Sequence, residues 1–64
     1  MKVKIIFSKG GIRFIPNVVI IEKLQFLGNE GKYTKIFIKD KNSNSYAYDD
    51  QEIRFITIDN KENN

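Results

Sequence analysis

Val18-Val19-Ile20-Ile21-Glu22-Lys23-Leu24-Gln25-Phe26-Leu27 is the most apolar stretch of the chain, and whether it is strand or helix decides the fold. Residues 18–21 are four consecutive β-branched side chains. Each loses χ1 freedom in a helix and packs well on a pleated surface. From Glu22 onward the pattern loosens towards alternation. Glu22, Leu24 and Phe26 share one face, and Lys23, Gln25 and Leu27 the other. The competing helix would be capped by Asn17 and stopped by Gly28, with Ile20, Ile21, Leu24 and Leu27 on one stripe. Its first turn would be built from poor helix formers, and about ten residues are few for a helix standing alone. The stretch is therefore read as a long central strand that the other segments pair with. Apolar residues at every position of its first half predict that this half is covered on both faces.

Upstream, Lys2-Val3-Lys4-Ile5-Ile6-Phe7-Ser8 alternates. Val3, Ile5 and Phe7 form a core face, Lys2, Lys4 and Ser8 a solvent face, and Ile6 is the exception. Lys9-Gly10-Gly11 predicts a tight hairpin turn, because paired glycines take positive φ at little steric cost. A glycine turn beside a lysine also suits a phosphate. The strand-loop-helix context and spacing of a P-loop are absent, so the turn is read as structural. Ile12-Arg13-Phe14-Ile15 begins a second strand, and Pro16-Asn17 bends the chain, since proline removes a ladder donor. The tetrapeptide recurs at Ile53-Arg54-Phe55-Ile56 without similarity around it and is read as coincidence.

Downstream, Gly28-Asn29-Glu30-Gly31 is a turn. Tyr33-Thr34-Lys35-Ile36-Phe37-Ile38-Lys39-Asp40 alternates again. Burying Ile36 and Ile38 costs less than burying the face that carries lysines. That choice leaves Tyr33, Lys35, Phe37 and Lys39 outside. Lys41-Asn42-Ser43-Asn44-Ser45 is a polar turn and Tyr46-Ala47-Tyr48 a short edge strand. Asp49-Asp50-Gln51 suits a single 3₁₀ turn. Residues 53–58 form the last strand, apolar almost throughout and expected to be paired on both sides or folded across a barrel. Residues 1–59 read as one small β domain and residues 60–64 as a polar, frayed tail.

A chain of 64 residues lies near the lower limit for a self-sufficient core. It has no cysteine and no histidine, which removes disulfides, thiolate metal sites and the commonest general base. The serines lack a histidine to activate them. Asp49, Asp50 and Glu52 lack the glycine and ligand alternation of a calcium loop. No catalytic residue, metal site or cofactor is expected. The longest purely apolar run is far shorter than a membrane span or a signal-peptide core, so a cytoplasmic protein without membrane contact is expected.

Residues 1–41 carry nine basic and three acidic side chains, and residues 42–64 two and five. A solvated surface accounts for such charges, and so does a face for a polyanion. Nine lysines against two arginines weaken the polyanion reading, since arginine is the better phosphate reader. An aromatic-lysine strand nevertheless suits nucleic acid: Lys4, Lys9, Lys35, Lys39 and Lys41 would meet phosphate, and Tyr33 and Phe37 would stack on bases. Alternatively the rings are covered by lysine stems or a neighbouring loop. Tyr46 and Tyr48 are the matching candidates for a protein interface, though tyrosines also occupy the wet edges of small barrels.

The expected fold is all-β: a five- to six-stranded antiparallel SH3-like or Sm-like barrel, or a strongly curled sheet. The first expected function is a non-enzymatic nucleic-acid-binding module. The second is a protein-interaction module, a regulator or inhibitor of the kind phages and mobile elements carry, docking by a strand edge or by Tyr46 and Tyr48. A homo-oligomer built through strand edges is the third.

Overall fold

The computed structural model describes residues 1–60. It is all-β, with strands β1 (Lys2–Phe7), β2 (Ile12–Ile15), β3 (Val18–Gly28), β4 (Gly31–Asp40), β5 (Ser45–Asp49) and β6 (Ile53–Asp59). A 3₁₀ turn, Asp50–Glu52, precedes β6, one residue later than the expected turn at residues 49–51. The strands form two antiparallel three-stranded sheets, in the orders β2-β1-β6 and β3-β4-β5. The two ladders do not close on each other. The barrel form of the expectation, SH3-like or Sm-like, is therefore absent from the hydrogen bonding.

Period-two alternation places the core. Val3, Ile5 and Ile15 of the first sheet meet Val18, Ile36 and Ile38 of the second, all buried. Burying side chains of this size stabilises by about 1.5–3 kcal/mol each, a large share of what so short a chain can gather. The sheets are also joined by backbone. Val18 N donates to Met1 O at 2.7 Å, and the Met1 amine donates to Val18 O at 3.1 Å. At the far end of β1, Ser8 N donates to Glu52 O at 2.8 Å, which carries the β1–β6 pairing of the first sheet one residue past Phe7 and Ile53.

The turns follow their residues. Gly10 and Gly11 take φ of +96° and +101°, which only glycine adopts at little cost. Asn17 takes φ +57°, the left-handed conformation that asparagine tolerates, and there the chain leaves the first sheet for the second. Asp40 holds the 41–44 turn. Its Oδ1 accepts from Asn42 N at 2.9 Å and Asn44 N at 3.0 Å, and its Oδ2 from Asn44 Nδ2 at 3.0 Å.

Three expectations about neighbours are corrected. Residues 18–27 are indeed extended, but β3 is an edge strand; β4 is the centre of its sheet. The two-face covering expected of residues 18–21 does not occur: Val18 is buried, whereas Val19 and Ile20 stay exposed. Among the described residues β6 is paired on one side only, to β1. Apolar content reports that a segment is extended; which strands flank it depends on contacts distant in sequence. The repeated Ile-Arg-Phe-Ile segments both flank β1 but in different registers, since Ile6 faces Ile12 on one side and Phe55 on the other. Residues 61–64 of the expected frayed tail lie outside the described residues.

Candidate functional site

The second sheet has an inner face and an outer face, set by β4. Ile36 and Ile38 point inward, so Tyr33, Lys35, Phe37 and Lys39 point outward together, as their spacing predicts. The β3–β4 register sets β3 residues beside them: Phe26 opposite Tyr33, Leu24 opposite Lys35, Glu22 opposite Phe37 and Ile20 opposite Lys39. On the other side, Asp49 lies opposite Lys35, Ala47 opposite Phe37 and Ser45 opposite Lys39. Phe26 and Tyr33 stack with centroids 5.3 Å apart and planes 19° apart, and Phe37 meets Phe26 edge-on at 6.3 Å. Tyr33, Leu24 and Ile20 are each more than two-fifths exposed. The hairpin tip carries the Phe26–Tyr33 pair beyond β5, whose pairing with β4 ends at Lys35. A shallow open hollow lies on the same face beside Ile20, Glu22, Phe37 and Lys39.

The face is balanced in charge. Lys35 lies 3.9 Å from Asp49, and Glu22 and Lys39 supply one charge of each sign. The remaining lysines of the expected phosphate surface are elsewhere. Lys4 belongs to the outer face of the first sheet, 6.0 Å from the Phe14 ring centre. Lys9 sits in the β1–β2 turn and lines a hollow shared with Asp49 and Glu52. Lys41 is in the β4–β5 turn, its N–H donating to Asn17 O at 2.9 Å, at the opposite end of β1. Six residues of β1, about 20 Å of extended chain, separate those two ends.

Tyr46 and Tyr48 lie opposite Ile38 and Ile36 and share their inner face. Both are half-buried. Arg13 crosses from β2 with its guanidinium 4.9 Å from the Tyr46 ring centre, and its Nη1 donates to Tyr48 Oη at 3.1 Å. Phe7 packs edge-on against Tyr48 at 5.5 Å. Both rings thus join the two sheets.

The acidic trio is divided. Asp49 faces Lys35, and Asp50 lies 3.5 Å from Lys23. Among the described residues no group of three potential ligands gathers to hold a metal ion. Among them, too, no helix is long and apolar enough to cross a membrane.

Sequence reasoning missed two features. One is the contribution of Ile20, Leu24 and Phe26 to the outer face: their shared parity was visible, but the strand they would lie beside was not. The other is the outer face of the first sheet, where Ile12, Ile6 and Phe55 form one cross-strand row and Phe14 lies beside it, 61% exposed. The signal there was Ile6 breaking the alternation of β1. No protein-family model, no curated protein and no solved structure matches this chain.

Proposed function

We propose that the protein is a non-enzymatic docking module whose outer β3–β4–β5 face receives a protein partner. One observation carries this reading: the exposed cluster Ile20, Leu24, Phe26 and Tyr33 sits among two basic and two acidic side chains, so the face is apolar and electrically neutral. Neutral apolar faces rich in aromatic rings suit protein partners, which offer apolar surface with charges of both signs at the rim. Two acidic neighbours offset the attraction for a polyanion, whose affinity depends on uncompensated cations. The lack of histidine and cysteine in the sequence supports a role without chemistry.

The test is a photoreactive side chain placed at Tyr33 or Lys39, with Thr57 on the other sheet as control, in the cells that express the protein. Conjugates to a defined protein from the first two positions, and not the third, are the expected result. Conjugates to nucleic acid, or none that depend on position, would overturn it.

The nucleic-acid reading keeps one specific support: Tyr33, Lys35, Phe37 and Lys39 share one face. It requires binding that weakens steeply with salt. A titration with RNA, single-stranded DNA and duplex DNA at two salt concentrations decides it, and no binding at low salt removes it.

A further inference from the structure

β3 has one edge bonded to β4; among the described residues its other edge, past the Val18–Met1 contact, has no strand beside it. The direction of its polar groups follows from three observations. Val18 exchanges both its N–H and its C=O with Met1, so these groups turn away from β4. Its partner Asp40 donates its N–H to Asn44 O, also away from β3. Antiparallel pairs alternate between bonded and non-bonded, and one bulge lies at Val19. Following the register from Val18–Asp40, the N–H and C=O of Ile21, Lys23, Gln25 and Leu27 turn to the open edge. The same count makes Gly28–Gly31 a bonded pair, as a two-residue hairpin loop requires.

We infer that this edge pairs antiparallel with the same edge of a second copy of the chain, about a two-fold axis at Leu24. Length selects the axis first. Met1 occupies the edge at Val18 and the bulge occupies Val19, so the regular open edge is residues 20–28, with Leu24 at its midpoint. Charge selects the same axis. Centred there, Leu24 faces Leu24 of the second copy, Glu22 faces Phe26, Lys23 faces Gln25 and Ile21 faces Leu27. An axis at Lys23 opposes two ammonium groups, and one at Glu22 opposes two carboxylates; like charges directly opposite destabilise a sheet. An axis at Gln25 shortens the overlap and sets Lys23 against Leu27.

The pairing also gives Leu27, the most exposed apolar side chain at 81%, an apolar neighbour in Ile21 of the second copy. The open edge is long and holds no proline; its bulge lies at Val19, outside residues 20–28, and its two charged residues, Glu22 and Lys23, are of opposite sign. Two copies form one continuous six-stranded sheet, β5-β4-β3 against β3-β4-β5. This self-association does not depend on what the outer face receives.

Sedimentation of the purified protein over a wide concentration range tests it, with amide hydrogen exchange at the dimer end. Expected are a monomer–dimer equilibrium and slow exchange at Ile21, Lys23, Gln25 and Leu27 that becomes fast on dilution. Gln25→Pro removes an edge donor that the β3–β4 ladder does not use, and Leu27→Asp charges an exposed side chain. Each is expected to weaken dimerisation at least tenfold. A concentration-independent monomer, open-ended assembly, or a dimer in which those four amides exchange fast would overturn the inference. Should either variant fail to fold, the exchange pattern of the native protein decides alone.

Discussion

Arg13 Nη1 donates a 3.1 Å hydrogen bond to the Tyr48 hydroxyl, and this contact ties the edge strand β2 of one sheet to the edge strand β5 of the other. The same guanidinium covers the Tyr46 ring. A planar guanidinium can stack and donate at once, which an ammonium cannot do in one geometry. Arg13→Ala is therefore expected to cost about 1–2 kcal/mol, the combined size of a partly exposed cation–π contact and one hydrogen bond. Arg13→Lys should recover less than half of it. Thermal denaturation reads the loss as a fall of about 4–8 °C per kcal/mol for a domain of this size. A double-mutant cycle with Tyr48→Phe separates the hydrogen bond from the stacking. Zero coupling energy would show that the bond adds nothing.

The core is small, so its members matter unequally with position. Ile38 is 1% exposed and packs in the cluster that joins the sheets. Ile38→Ala is expected to cost about 2–5 kcal/mol. Total stability on the order of 3–10 kcal/mol leaves such a variant close to unfolding at room temperature. Phe14→Ala, on the open face of the first sheet, should cost less than about 1 kcal/mol. Urea denaturation of the two variants side by side checks the contrast.

Asp40 links the 41–44 turn to acid stability. The Asn44 side-chain amide is the largest influence on its carboxyl and, with the backbone N–H groups of Asn44 and Asn42, lowers its pKa below the ordinary 3.8; desolvation opposes this only in part. A carboxyl with a depressed folded-state pKa stabilises the fold above its unfolded value, and that contribution is lost as pH falls through the folded value. Stability should thus decline with acid below about pH 4. Asp40→Asn should be less stable at neutral pH and show a flatter acid limb. Denaturation midpoints across pH 2–7 test both, and an unchanged acid limb in the variant would assign the decline to other groups.

Gly31 closes the β3–β4 turn with φ +117° and open space where a Cβ would lie. Backbone conformation alone therefore sets the effect of a substitution. Gly31→Ala is expected to destabilise by about 1 kcal/mol or more. A synthetic chain with D-alanine at this position should be as stable as the native one, or more so by about 0.4–1 kcal/mol, because it restricts only the unfolded state. Equal losses from both enantiomers would point to a steric cause.

Alternation was enough to identify the extended segments, the turns between them, and the faces of β1 and β4. It set Val3, Ile5, Ile36 and Ile38 inside and Tyr33, Lys35, Phe37 and Lys39 outside, because adjacent side chains on a strand point to opposite sides whatever the strand lies beside. Tertiary structure decided which strands are neighbours. It made β3 an edge rather than a centre, left two ladders instead of a barrel, turned Tyr46 and Tyr48 inward to meet Arg13, and scattered Lys4, Lys9 and Lys41 over separate surfaces. Strand order and layer contacts join residues far apart in the chain, and their free energy depends on how all segments pack together, whereas the facing of a side chain is a property of its own few bonds.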